Sequence, residues 1–146
     1  MLSSNVAAEI SYLCVSDRAV GFGYEKAIDG WVEVVFKTNH KFIVSKSSLN
    51  GFTWEAKDIG NKHAHMRCKN DFSEGGIVGN DIQTKGDLFC HHAVPSFGQM
   101  NMNKNNGRYL QIYPTGYWND RKSKEGNYIN EGANTPYIEI GKCSPL

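Results

Sequence analysis

The chain has 146 residues with 16 basic and 15 acidic side chains, so its net charge at neutral pH is only +1. This balance argues against nucleic acid as a partner, because binding to phosphates requires a concentrated basic face. No stretch approaches the roughly 20 apolar residues of a membrane-spanning helix, so we expect no membrane insertion. A chain of this length predicts one domain, residues 1–146, with a substantial buried core.

The chain begins MLSSNVAAEISYLC, which has neither the basic start nor the long apolar stretch of a signal peptide. Small residues ahead of a first strand are also what remains when a signal is removed and a start methionine is added. We therefore expect a mature exported protein, either periplasmic or secreted.

Short segments rich in β-branched and aromatic residues predict strands through most of the chain. In order they are ISYLCVS, GWVEVVFK, HKFIVSKS, FTWEAKDI, HAHMRC, DLFCHHAV, RYLQIYP and PYIEIGKC. Asn50-Gly51 and the sequence NNGR at 105–108 are hairpin signals, and SEGGIVGNDIQTKGD is a turn-rich insertion with room for one weak strand. No segment has helical periodicity over three turns. The pattern predicts an all-β, antiparallel barrel or sandwich of about eight strands.

Alternation within the strands predicts which side chains share a face. The clearest sets are Val32 with Val34 and Phe36, Trp54 with Ala56, and Leu110 with Ile112. Glu33 and Glu55 fall at outward positions and are expected to be solvated. The chain has no nucleophile elbow, zinc-protease motif, P-loop or dinucleotide fingerprint. We therefore expect a protein that is not an enzyme, with no catalytic residues and no cofactor.

Four cysteines, at positions 14, 68, 90 and 143, allow three disulfide pairings. There is no C-x-x-C motif, which argues against a zinc knuckle or a thioredoxin-like site. Cys14 lies in the first strand and Cys143 in the last, and these strands are neighbours in a closed β structure. This favours Cys14–Cys143 and leaves Cys68–Cys90. Two disulfides indicate an oxidising compartment.

Histidines beside two of the cysteines raise the alternative of a metal site. If Cys68 lies opposite Cys90, Arg67 falls opposite His91, and His65 is diagonal to His91, within reach of a shared ion. The cation at Arg67 and the lack of a suitably spaced carboxylate weigh against this. We therefore predict no metal site. In the alternative interpretation, the candidate metal ligands are His63, His65 and His91.

The segment RYLQIYPTGYWNDRK predicts a partner-binding surface. Tyr113, Tyr117 and Trp118 cluster around a Pro/Gly turn, and Arg121 and Lys122 follow, where they can steer an acidic partner. In the alternative interpretation, Tyr117 and Trp118 fold back over one end of the barrel. In the first case Trp118→Ala costs about 2 kcal/mol of affinity; in the second it costs about 3–5 kcal/mol of stability.

The blocks YLC…GF…W, CKNDF…LFC, RYLQIYPTGYW and TPYIEIGKCSPL resemble small exported bacterial proteins of uncharacterised function. The resemblance covers most of the chain, and the terminal block is its most specific part. It implies a periplasmic or secreted setting and two disulfides, and it brings no assigned activity. In size, cysteines and β content the chain is also similar to periplasmic lysozyme inhibitors. Their inhibitory loop has no matching residues here, so no residue role is carried over.

These observations favour a small, exported, non-enzymatic binding module that recognises another protein at the cell envelope, as an inhibitor would. One alternative is a β-barrel carrier with a small apolar ligand in its interior, lined by the apolar strand faces. The other is a histidine-based metal-binding protein.

Overall fold

The computed structural model describes residues 9–94, 97–115 and 135–146. Within these ranges the chain forms strands and a single-turn 3₁₀ helix, Lys26–Ile28. No helix in the described ranges is long and apolar enough to span a membrane. The strands are β1 (Tyr12–Glu25), β2 (Gly30–Phe36), β3 (Lys41–Lys46), β4 (Trp54–Asp58), β5 (Met66–Cys68), β6 (Gly76–Val78), β7 (Asp81–Gln83), β8 (Asp87–His92), β9 (Gln99–Asn103), β10 (Arg108–Tyr113) and β11 (Tyr137–Pro145).

Eight of these strands close into an antiparallel barrel. Around the ring the order is β1, β3, β4, β5, β8, β9, β10 and β11, and β11 pairs back onto β1. The predicted antiparallel β-barrel is therefore confirmed. Seven of the eight predicted segments form strands of the barrel. The eighth, GWVEVVFK, forms β2 outside the ring, and the segment QMNMN forms β9, which completes the ring. In the described residues β2 pairs with β1 alone.

Strand β1 is long because it takes part in two successive pairings along one edge. Residues 12–15 pair with β3, and residues 19–25 pair with β2. On the opposite edge, the register with β11 shifts between Ser16 and Arg18, which marks a β-bulge. The bulge changes the direction of β1, and β2 extends the sheet beyond the ring at this end.

Both predicted hairpin turns are present. The turn containing Gly51, at φ 86°, joins β3 to β4, and the turn containing Gly107, at φ 65°, joins β9 to β10. Glycine adopts these left-handed conformations without the steric cost of a side chain. The turn-rich insertion forms a small separate hairpin from β6 and β7.

Two disulfides, Cys14–Cys143 and Cys68–Cys90, connect neighbouring strands. Both predicted pairings are confirmed. Cys14 lies directly opposite Cys143 where β1 meets β11, so this disulfide links the first and last strands of the ring. Arg67 pairs with His91, as predicted, and this register places Cys68 beside Cys90. Two disulfides are typical of proteins from an oxidising compartment.

The inward faces of the strands form one core. Trp54 and Ala56 point inward, as alternation predicts, but Leu110 and Ile112 share the outer face of β10. Glu55 is not solvated: it is buried on the outer side of β4, where the Ser47 hydroxyl donates to it. The core consists of Tyr12, Cys14, Phe42, Val44, Trp54, Ala56, Met66, Cys68, Phe72, Leu88, Cys90, Met100, Met102, Tyr109 and Cys143.

Candidate functional site

One end of the barrel interior carries a group of polar side chains, which we call the polar cluster. His40 precedes β3, Asp58 ends β4, and His65 precedes β5. The remaining members come from β10 and β11, on the other side of β1 in the ring. Ring closure brings these segments together although they are distant in sequence. The polar cluster comprises His40, Asp58, His65, Tyr109, Gln111 and Glu139.

His40 is the centre of the polar cluster. Its Nδ1 lies 2.9 Å from Oε1 of Glu139, and its Nε2 lies 2.8 Å from Oδ1 of Asp58. The Tyr109 hydroxyl donates to the same Glu139 oxygen over 2.8 Å. One imidazole therefore bridges two carboxylates from strands that are not neighbours, β4 and β11.

The surroundings of His40 strongly favour its protonated form. The hydrogen bond with Glu139 raises the pKa of His40 from 6.5 to about 9, although burial opposes the shift, and Asp58 adds to it. Burial alone would raise the pKa of Glu139, but the hydrogen bonds from His40 and Tyr109 outweigh it and lower that pKa. At neutral pH His40 is therefore an imidazolium held between two carboxylates.

His65 is in the opposite electrostatic situation. Burial lowers the pKa of His65, and the nearby Asp58 carboxylate offsets this only in part. Its Nδ1 lies 3.1 Å from Oδ1 of Asp58, but neither ring nitrogen is aligned with a hydrogen-bond partner in the described residues. Gln111 lies beside His65 and favours its protonated form slightly, yet the two groups are also not aligned for a hydrogen bond. His65 is a neutral imidazole with unused hydrogen-bonding capacity.

The structure does not bring the three predicted metal candidates together. His63 is exposed, and the ring of His91 packs against Phe89 with centroids 4.5 Å apart. His65 instead turns inward, where its ring packs against Phe42 and His40. Alternation counted back from Cys68 places His65 outward, but β5 begins only at the next residue, Met66, so alternation does not govern His65.

Among the residues that the structure describes, His40, Asp58 and His65 form a group that could hold a metal ion. One ligand atom from each lies within 4.8 Å of the others, and all three side chains are half-buried. Only His65 was predicted from the sequence as a candidate metal ligand. Asp58 precedes it by a loop and His40 by two strands, β3 and β4, and neither spacing matches a metal-binding motif.

A second feature lies on the outside of the barrel, where apolar side chains form a continuous row across four strands. Val20 of β1 pairs with Val35 of β2 on one side and with Ile138 of β11 on the other, and Ile138 pairs with Ile112 of β10. We call the whole patch the outer apolar face. Its members are Val20, Phe22, Val35, Leu110, Ile112, Ile138 and Ile140.

The outer apolar face is open to solvent in the described structure. Apart from the half-buried Ile112, its side chains are between 37% and 82% exposed. A groove of about 410 Å³ runs along it and is lined by Phe22, Tyr113 and Ile138 among others. Tyr113 stacks on Tyr137 with ring centroids 5.5 Å apart, which gives this side of the groove a firm aromatic wall.

Basic residues border the outer apolar face along one side. Arg108 of β10 pairs with Lys142 of β11, one outward position beyond Leu110 and Ile140. Arg18, at the bulge of β1, pairs with Ile140. All three basic side chains are exposed.

Of the predicted partner-binding residues, Tyr113 lies at the edge of this groove. Tyr117, Trp118, Arg121 and Lys122 lie outside the described residues, so their role stays a prediction. The outer apolar face was not predicted from the sequence. The available signal was in GWVEVVFK, where adjacent valines break alternation and indicate a strand that is apolar on both faces.

No protein-family model, no curated protein and no solved structure matches the chain. The fold and site define its class: a disulfide-linked β-barrel with a filled interior, a polar cluster at one end and an apolar patch outside. Its function has to be inferred from these residues themselves.

Proposed function

We propose that the protein is a non-enzymatic binding module, periplasmic or secreted, that recognises another protein at the cell envelope through the outer apolar face. The observation that carries this proposal is the exposure of six apolar side chains, with the half-buried Ile112 among them, on four adjacent strands. Contiguous patches of this kind on a soluble domain are typical of interaction sites. The two disulfides support the exported setting.

The partner we propose is a folded protein with an apolar patch bordered by acidic side chains. An apolar centre surrounded by a polar rim is the usual arrangement of a protein interface. Here the rim residues Arg18, Arg108 and Lys142 are basic, so an acidic counterpart would increase the rate of association and set its orientation. Tyr113 adds a rigid aromatic contact at the other side of the face.

The interior of the barrel favours this proposal over a carrier of a small apolar ligand. A carrier needs an internal cavity of several hundred cubic ångströms. In the described structure the centre is occupied by bulky side chains that are at most 2% exposed, namely Phe42, Met66, Leu88, Met100 and Met102.

The proposal is tested by capture of partners from an envelope extract on immobilised protein. The double variant Val20→Thr/Ile138→Thr keeps β-branched side chains on the strands and makes the centre of the outer apolar face polar. We expect it to fold normally, because exposed substitutions usually change stability by less than about 0.5 kcal/mol. We expect it to lose a partner that the wild-type protein retains.

Ile59→Thr is the matched control, because Ile59 is 59% exposed and lies outside the outer apolar face. This variant should retain the partner. A set of captured proteins that is the same for the wild type, the double variant and the control would contradict the proposal.

A further inference from the structure

We propose that His40, Asp58 and His65 form a binding site for one divalent transition-metal ion, with zinc the best match to the donor set. This metal site is separate from the proposed recognition of a protein partner. It lies inside the barrel, whereas the outer apolar face lies on the outside. Two imidazole nitrogens and a carboxylate oxygen are a common ligand set for zinc, with a fourth position left for water or a further ligand.

The spacing of the donor atoms fits a single small ion. Nε2 of His40 and Nδ1 of His65 lie 2.8 Å and 3.1 Å from the same Asp58 oxygen. Around a tetrahedral zinc with bonds of about 2.0–2.1 Å, neighbouring ligand atoms are separated by about 3.4 Å. Since all three donors already lie within 4.8 Å of one another, small rotations of the side chains are sufficient to place an ion between them.

The surroundings also orient the ligands. Glu139 contacts Nδ1 of His40 and thereby directs Nε2 toward Asp58. Tyr109 in turn donates to Glu139. A carboxylate behind a ligating histidine is the arrangement that fixes the ring and increases ligand basicity in known metal sites.

Two further observations favour a cation here. Both ring nitrogens of His65 are buried without a hydrogen-bond partner among the described residues, and an unused buried donor or acceptor is costly. A metal ion would satisfy one of them. In addition, Asp58 and Glu139 bring two carboxylates into the same half-buried space. The protonated His40 balances only one of these charges, whereas a divalent ion that displaces the proton from Nε2 of His40 balances both.

The experiment is a calorimetric titration of Zn²⁺ into protein that has been treated with chelator and dialysed. We expect one ion per chain. His65→Gln should weaken binding most, and Glu139→Gln, which removes only the orienting carboxylate, should weaken it by about 10–100-fold. With Co²⁺ in place of zinc, the visible absorption of the bound ion should report nitrogen and oxygen ligands in the wild-type protein and should be lost in His65→Gln.

The matched controls are His63→Gln and His91→Gln, the same change at histidines outside the polar cluster. They should bind Zn²⁺ as the wild type does. Circular dichroism checks that each variant is folded, and Asp58→Asn, of nearly the same shape, replaces His65→Gln if the latter is not. The proposal is wrong if the wild type binds no stoichiometric Zn²⁺, or if the folded site variant binds Zn²⁺ as tightly as the wild type. A failure of the zinc titration would not affect the partner-capture result, because the variants of the two experiments change different faces of the barrel wall.

Discussion

The two ends of the barrel interior are stabilised in different ways. At one end the rings of Tyr12, Trp54 and Phe72 pack against one another with centroids 4.9 to 6.2 Å apart. At the other end His40 and Glu139 meet through a hydrogen bond in a half-buried space. Both groups of side chains point into the barrel, and the residue types decide that one end becomes an apolar core and the other a charged site.

Phe42 marks the boundary between the two ends. Its ring contacts His40 and His65 on the polar side and Tyr109 across the barrel, with centroids 5.0 to 5.3 Å apart. On the apolar side it continues into Val44 on the same face of β3. The Phe42 ring therefore separates the polar cluster from the apolar end. The apolar end is held mainly by packing, with one hydrogen bond from Nε1 of Trp54 to Asp71.

The largest expected effect comes from disrupting the apolar end. Leu88 is 1% exposed, and Leu88→Ala should lower the free energy of unfolding by about 2–5 kcal/mol through lost burial and a residual cavity. Leu110→Ala is the same change on the outer apolar face and should cost less than about 1 kcal/mol, since the side chain is already partly in water. Urea denaturation of the two variants makes the measurement. Equal losses would contradict the inward and outward assignment of these strands.

An intermediate effect is expected at the polar end. Glu139→Gln keeps the volume of the side chain but removes the charge that His40 and Tyr109 contact. We expect a loss of about 1–3 kcal/mol, the usual range for disrupting a buried charged hydrogen bond. Glu33→Gln, at an exposed position of β2, should change stability by less than about 0.5 kcal/mol.

Denaturation in the presence of chelator compares the two glutamate variants directly. If Glu139→Gln is as stable as the wild type, the polar cluster contributes nothing to folding, and the two ends do not differ in the way described above.

Much of the fold could be predicted from the sequence because its signals are local. Turns at Gly51 and Gly107 require residues that adopt left-handed conformations, and the sequence shows them. The Cys14–Cys143 pairing followed from one topological argument about first and last strands. The direction of β10 could not be predicted: Leu110 and Ile112 are the more hydrophobic set, yet Tyr109 and Gln111 point inward. Register with β9 and β11 decides this, and register is not a local property.

The polar cluster was less predictable for the same reason. His40 is separated by 99 positions from Glu139 and by 18 from Asp58. No spacing rule links residues that only ring closure brings together. His65 was predicted as a candidate metal ligand, but its predicted partners, His63 and His91, were chosen by strand alternation. Alternation does not apply to His65, because β5 begins only at the next residue, Met66.

The smallest expected effect is a dependence of stability on alkaline pH that belongs to the polar end alone. His40 faces Glu139, Asp58 and His65, and the hydrogen bond with Glu139 raises the pKa of His40 from 6.5 to about 9. A raised pKa means that the folded state holds a proton which the unfolded state has already lost. The stabilisation is therefore complete below pH 6.5 and disappears as the pH rises through about 9.

Each pKa unit corresponds to about 1.4 kcal/mol. Because the His40 side chain is 27% exposed and screened by solvent, we expect a total loss of about 1–2 kcal/mol.

Urea denaturation at a series of pH values from 6.5 to 9, with chelator present, measures this loss. All four cysteines are in disulfides, so no thiol titrates in this window. His40→Gln should abolish the loss of stability toward pH 9, whereas Leu88→Ala should lower the whole curve without changing its slope. A wild-type curve that is flat or rises toward pH 9 would show that His40 is not held as an imidazolium between the two carboxylates.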